Sequence, residues 1–256
     1  MMDPTHRFSG RVENYARYRP GYPDVVLDLL RDRCGLTEES EIADVGSETG
    51  ALARLFLENG NRVFGVEPNA EMRRAGERLL RGHGRFASVA ARAEGTTLPD
   101  GSVDFVTAGQ AFHWFDPGFT RGEFARILKT GGVVALIWNK RRKEGEPFLA
   151  GYEKLLRFHG TDYRDGHHGR RGSPEGVRDF FRPDPVEEAT FENRQAFDLE
   201  GLRGRLLSSS YVPDAGEPGH PEVMEAAGRL FEEHQAAGRV VLTYDTQVFF
   251  GPLSGP

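Results

Sequence analysis

Between Glu41 and Glu67 the chain reads EIADVGSETGALARLFLENGNRVFGVE, and this segment holds the residues best placed to do chemistry. Gly46 and Gly50 close a short apolar run made by Ile42, Ala43 and Val45, the pattern of a buried parallel strand feeding a tight turn. Glu67 ends a second apolar run, where its carboxylate can accept hydrogen bonds from two ribose hydroxyls. Together they predict a nucleoside-containing ligand lying across the carboxyl ends of the strands. A dinucleotide fingerprint requires glycine at the first, third and roughly sixth positions, so that backbone can approach a pyrophosphate. Here those positions hold Gly46, Glu48 and Ala51. An anion at the third position faces the phosphates, so NAD binding is disfavoured.

The elements that must carry these residues follow from periodicity. Ala51, Leu52, Leu55 and Phe56 recur at helical spacing and stop at Asn59-Gly60, and 62–66 is the next strand. A helix over 23–33 precedes the first strand. Residues 85–91 form a weak third strand and 102–108 a fourth, introduced by the turn Pro99-Asp100-Gly101. A helix over 118–128 stops at Thr130-Gly131-Gly132, and 133–138 is a wholly buried fifth strand. This alternation predicts an α/β fold: a Rossmann-like, seven-stranded, mostly parallel sheet with helices on both faces. After Asn139 the rhythm breaks, with helices over 147–158 and 175–181 around a Gly-, Arg- and His-rich stretch at 160–174. Residues 140–185 as a whole are too long for an ordinary connection and are read as a lid or cap. Strand 186–197, helices 199–209 and 221–236 and strand 239–250 complete the sheet. The expected organisation is one domain: a ligand-binding core with a helical lead-in over 1–139, an inserted cap over 140–185, and the rest of the sheet with substrate-side helices over 186–256.

Composition narrows the partners. The 256 residues carry a formal net charge of −6, so no global basic field is available for nucleic acid. The basic clusters at 140–143 and 170–171 are diluted by Glu144, Glu146 and Asp165. Cys34 is the only cysteine, which excludes an intrachain disulfide and a multi-cysteine metal site. The longest wholly apolar run, 133–138, is far short of a membrane span, and no secretory leader is evident. The expectation is a soluble cytoplasmic protein with no nucleic-acid or membrane partner. Its oligomeric state is not legible.

Asp44-Val45-Gly46-Ser47-Glu48-Thr49-Gly50 resembles the first motif of class I S-adenosylmethionine-dependent methyltransferases, with Glu48 standing where that family has glycine. Glu67-Pro68 then resembles the ribose-binding acid and its neighbour. Ala93-Glu94-Gly95 with the following Leu98 to Asp104 resembles the segment that holds adenine, and Gln110 to Phe115 the segment that holds the methionyl ammonium. Ile137-Trp138-Asn139 and Leu207 to Pro213 resemble features of the subgroup that includes trans-aconitate methyltransferase, as does the N-terminal run Phe8 to Pro23. The resemblance covers nearly the whole chain, most specifically residues 8–139.

It implies S-adenosylmethionine as cofactor, held by Tyr15, Arg19, Asp44, Gly46, Ser47, Gly50, Glu67, Pro68, Ala93, Glu94 and Gln110. Arg19 would meet the methionyl carboxylate through a two-pronged bond. The implied substrate cavity is lined by Tyr18, Phe112, Trp114, Trp138, Ser209 and Tyr211, and the implied catalytic groups are His113, Asn139 and Glu48. The tyrosines have a plainer reading, as packing for the N-terminal segment, and His113 has one as a hydrogen-bonded residue beside Trp114 and Phe115. His167-His168 looks like half a metal site, but spacing fixes no third ligand, so no metal is expected.

Transfer of a methyl group from a sulfonium depends on near-attack geometry and a dry cavity, worth up to ~7–11 kcal/mol. A base such as His113 is needed only where the acceptor must lose a proton. The leading reading is therefore methylation of a small molecule on carboxylate, oxygen or nitrogen. Glu48 opens a second: its carboxylate beside the ammonium would support cyclisation of S-adenosylmethionine to azetidine-2-carboxylate, releasing methylthioadenosine. A third is a binding protein without turnover, in which Glu48 marks decay of the motif.

Overall fold

The computed structural model describes residues 12–161, 163 and 171–254. Two helices, α1 (Val12–Tyr18) and α2 (Val25–Cys34), lead into β1 (Glu41–Val45), α3 (Ala51–Glu58), β2 (Arg62–Val66), α4 (Ala70–Leu79) and β3 (Phe86–Val89). Then come β4 (Val103–Gly109), a single 3₁₀ turn at Phe112–Trp114, α5 (Pro117–Ile127) and β5 (Leu128–Arg141). The chain continues through α6 (Pro147–His159), α7 (Pro174–Phe181), β6 (Glu187–Phe197), α8 (Leu199–Leu207), α9 (His220–His234) and β7 (Val240–Pro252).

The seven strands form one sheet in the order β3-β2-β1-β4-β5-β7-β6. The first five strands pair in parallel, and β7 runs antiparallel to both β5 and β6. The order reverses between β1 and β4, so the loops leaving their carboxyl ends turn apart and open a crevice there.

Side-chain alternation divides the sheet into two cores. Ala43, Val45, Val106, Val134, Leu136 and Trp138 point to the face covered by α5 and α7. Ile42, Phe105, Val133, Ala135 and Ile137, the residues between them, point to the face covered by α2 and α3. This two-residue period on strands buried on both sides is why they read as continuous apolar runs. A third cluster joins α6, α8 and α9 to the end of β7 through Tyr152, Leu206, Phe231 and Tyr244, and Tyr18 packs into it.

Several boundaries differ from the sequence expectation for definable reasons. The short α1 and the polar α4 were not expected. Only Met72, Ala75 and Gly76 of α4 are buried, and what starts the helix is Asn69, whose side chain accepts from the Glu71 and Met72 amides. The run Thr130-Gly131-Gly132 does not end a helix. It lies inside β5, where the register against β4 slips, and a Cβ at Gly132 would press on the carbonyls of Lys129 and Asp104. Residues 140–185 also divide: Lys140 and Arg141 extend β5, α6 joins the third cluster and α7 covers the sheet beside α5. Most of the Gly-rich stretch within the expected lid, including His167-His168, lies outside the described residues.

Candidate active site

The turn after β1 is built by hydrogen bonds to its neighbours. The Gly46 and Ser47 amides both donate to the Val66 carbonyl, at 2.8 and 3.2 Å, and the Gly50 amide donates to the Ser47 carbonyl at 2.7 Å. Gly46 has φ 68°, and a Cβ there would sit 2.5 Å from that of Ala111. Gly50 has φ 85° and caps α3 against Leu80. Between them Glu48 takes φ 52°, a left-handed conformation that costs a residue with a Cβ about 1–2 kcal/mol. Its amide donates to Glu67 Oε2 at 3.0 Å, while the Asn69 amide donates to Glu67 Oε1 at 2.7 Å. Glu67 thus ties the β1 and β2 turns together and keeps lone pairs on both oxygens for further donors.

Over this turn lies α1. The Tyr15 hydroxyl donates to Glu48 Oε2 in a short hydrogen bond, and the Arg19 guanidinium stacks on the Tyr15 ring, 4.7 Å from its centroid. Arg19 Nη2 donates to the Ser208 carbonyl at 3.0 Å. Three buried polar atoms close to the crevice have no protein partner among the described residues: Arg19 Nε, Asp44 Oδ2 and Gln110 Oε1. Gln110 itself takes φ 58° at the end of β4, and its Nε2 donates to the Asn139 carbonyl at 3.1 Å.

Three carboxyl groups share this region, and burial disfavours the charge of each. Burial raises Asp44 to about 7, against the Thr107 hydroxyl at 3.2 Å and the Ala53 amide. Burial raises Glu48 to about 8, opposed by Tyr15 and Arg19 and reinforced by Glu67 and Asp44. Glu67 is also raised by burial, although the Asn69 and Glu48 amides favour its charge. Burial thus favours the neutral form of the Glu48 carboxyl. The three carboxyl groups form a buried acidic cluster edged by the Arg19 guanidinium.

Other expected site residues are distributed unevenly. Ser47 is buried in the turn, and Pro68 lies between Glu67 and the Asn69 cap. Ala93 is buried in the loop after β3, while Glu94 Oε1 accepts from the Asp116 amide at 2.9 Å and ties that loop to the start of α5. His113 is half-buried and its ring lies tilted by 43° against that of Trp114, with centroids 4.8 Å apart; Trp114 is 38% exposed. Ser209 accepts from Arg205 at 3.1 Å, and the Tyr211 ring meets that of Tyr163 at 4.9 Å.

Four expectations are corrected. Phe112 and Trp138 are each 1% exposed and pack edge to face, 6.3 Å apart, inside the core under α7, so they do not line a cavity. Tyr18 is buried against Gly204 of α8 and serves as packing. Asn139 is a bracket and not a catalytic group. Its Nδ2 donates to the Gly21 carbonyl at 3.1 Å, and its Oδ1 accepts from Thr246 at 2.6 Å and Asn193 at 3.2 Å. Asn193 donates to the same Gly21 carbonyl at 2.8 Å, so β5, β6 and β7 jointly hold the N-terminal segment over the crevice.

Two residues escaped the sequence reading. Tyr22 lies against Gly109 at the end of β4, and burial together with Glu48 raises its phenol well above the usual range. Arg205 is buried within α8. Its signal was a cation at helical spacing among Leu202 and Leu206, positions that otherwise face the core. Among the described residues no cluster of three His, Cys, Asp or Glu side chains could hold a metal, and no helix is long and apolar enough to cross a membrane.

The methyltransferase-domain family matches residues 43–136, from β1 into β5. An uncharacterized methyltransferase of Mycobacterium bovis is 34% identical over 139 residues, covering 54% of each chain. An uncharacterized methyltransferase of Schizosaccharomyces pombe is 33% identical over 138 residues, covering 52% of this chain and 53% of its own. The chain thus spans about half the length of the curated relatives it matches. A solved structure from Anaeromyxobacter dehalogenans, described as a proposed type II methyltransferase, superposes over 93% of this chain and 100% of its own with TM-score 0.71 at 23% identity, a likeness of fold. Residues 43–136, which hold the glycine turn and the strands on both sides of the crevice, thus match a methyltransferase domain, and the strand order agrees with that match.

Proposed function

We propose that the protein binds S-adenosylmethionine at the β1–β4 crevice and methylates a small-molecule acceptor on a carboxylate, oxygen or nitrogen atom. The observation that carries this reading is Glu67, fixed by two backbone amides at the end of β2 with lone pairs left for ribose hydroxyls. The unpartnered atoms suit the rest of the cofactor. Arg19 Nε offers a charged donor for a carboxylate, and Asp44 Oδ2 and Gln110 Oε1 offer acceptors for an ammonium. Ala93 and Glu94 would address the adenine edge.

When bound, the cofactor would supply an electrophilic methyl on a sulfonium, with the acceptor providing the electron pair and the sulfur leaving as a neutral thioether. The chain's own contribution is orientation and dryness. Tyr15 and Glu48 cover the turn, and the Asn139–Asn193–Gly21 bracket keeps the N-terminal segment in place. His113, half-buried beside Trp114, is the candidate base for an acceptor that must lose a proton.

Methylation is favoured over cyclisation because the Glu48 carboxyl is already engaged by the Tyr15 hydroxyl. The acidic surface charge supports a small-molecule acceptor over nucleic acid, and the single thiol supports a cytoplasmic location. Incubation with S-adenosylmethionine, with and without candidate acceptors, tests the reading. Adenosylhomocysteine formed only with an acceptor is the expected product. Methylthioadenosine formed without one would reverse the preference, and binding with no product under any condition would leave a sensor.

A further inference from the structure

Arg205 is 5% exposed, and among the described residues no carboxylate lies within ion-pair distance of it. Burying a guanidinium without a counter-ion is costly, so folded chains rarely keep one unless something answers the charge. The same protein shows the ordinary solution at Arg141, whose Nη2 meets Glu153 at 2.5 Å in a pair that is also almost fully buried. Arg205 is treated differently. Its Nε donates to the Tyr244 hydroxyl at 3.2 Å, and its Nη1 to the Ser208 and Ser209 hydroxyls at 3.2 and 3.1 Å. These neutral acceptors fix the plane of the fork but leave its charge unanswered. Nη2 donates to no protein group among the described residues.

Position gives the charge a purpose. Ser208 stands between two guanidiniums, accepting Arg19 on its carbonyl and Arg205 on its hydroxyl. Arg19 faces the Tyr15–Glu48 side, where the methionyl end of the cofactor belongs. Arg205 faces the aromatic side made by Tyr152, Tyr211 and Tyr244, and its field still reaches Tyr15. We propose that Arg205 is the counter-ion for a carboxylate of the acceptor, so that the methyl acceptor is a small organic acid seated between α8 and the tyrosines of α6 and β7. This rests on the methyltransferase reading for the identity of the site, but the anion site itself can be tested without turnover.

The probes are succinate, citrate and benzoate, each beside its uncharged amide, titrated into protein saturated with S-adenosylhomocysteine and followed by calorimetry and thermal melting. At least one acid is expected to bind and raise the melting temperature while its amide does neither. Arg205→Met, of similar length and without charge, should weaken that acid by about 10–100-fold and change S-adenosylmethionine affinity less than about threefold. The unliganded Arg205→Met protein should be as stable as the parent or more so, which a merely structural arginine would not allow. Should Arg205→Met not fold, Arg205→Lys is read instead, and it should still weaken the acid about tenfold because the planar fork is lost. Acids and amides behaving alike, a variant that weakens acid and S-adenosylmethionine equally, or a folded Arg205→Met protein of sharply lower stability would each overturn the proposal. Acid binding in a protein that does not take S-adenosylmethionine would keep the anion site and remove the methyl-donor reading instead.

Discussion

The Tyr15 hydroxyl donates to the Glu48 carboxyl across 33 residues of sequence, joining the N-terminal helix to the strained centre of the glycine turn. The bond places an acid where the family has glycine, gives it a neutral donor, and seals α1 over the crevice. Removing the donor by Tyr15→Phe should cost about 1 kcal/mol of stability, the worth of one partly buried hydrogen bond. It should also weaken S-adenosylmethionine binding, because the Arg19 guanidinium rests on the same ring. Thermal melting and calorimetry on the same preparation would check both, and an unchanged affinity would detach α1 from the site.

Glu48 makes stability depend on pH with a definite sign. Its carboxyl is near 8 in the folded protein against an ordinary 4.5, so the native state holds a proton that the unfolded chain has lost. Its contribution is fully present below about pH 4.5 and disappears as pH rises to about 8. Asp44, moved from 3.8 to about 7, adds a slope of the same sign. Denaturant midpoints of the free protein should therefore fall between about pH 5 and 8, and Glu48→Gln should flatten that fall without abolishing it. A parent protein whose midpoint rises across this window would contradict the burial of both acids.

Glu48→Gly restores the family's turn and should relieve about 1–2 kcal/mol of backbone strain, less the flexibility that glycine adds to the unfolded chain. Methyl transfer should continue at an equal or higher rate. A hundredfold loss of product with intact binding would instead assign the carboxylate a chemical role.

Glu67→Ala removes the proposed ribose clamp and should weaken S-adenosylmethionine by roughly 1.5–3 kcal/mol. Glu67→Gln is the informative companion. It keeps a carbonyl acceptor for one of the Glu48 and Asn69 amides and should fold better than the alanine variant, yet still bind weakly. Calorimetry showing full affinity in either folded variant would remove Glu67 from the site.

Asn139→Ala should cost about 1–3 kcal/mol, because it strands the buried Thr246 hydroxyl and removes one of the two donors to the Gly21 carbonyl. The loss should appear in melting temperature first and in turnover only as the N-terminal segment loosens. A variant with an unchanged melting temperature and no activity would return Asn139 to the chemistry.

Residue pattern alone determined the parallel core and most of its strands and helices along the chain. A strand buried on both faces has to be apolar throughout, and a turn at φ 68° has to be glycine, so Ile42 to Gly46 and Val133 to Trp138 could be read directly. The helix α4 could not, since it is held by one cap and two buried side chains on a polar surface. Side-chain direction was equally hidden. Phe112, Trp138 and Asn139 lie where cavity residues were expected, and only the packing of α7 and the hydrogen bonds of Gly21, Asn193 and Thr246 turn them inward. The electrostatics were decided last. Asp44, Glu48 and Glu67 look like ordinary acids in sequence, and Arg205 like an ordinary helical cation. Tertiary burial brings the three acids together, and it isolates the arginine from any carboxylate among the described residues, because water is removed from both places at once.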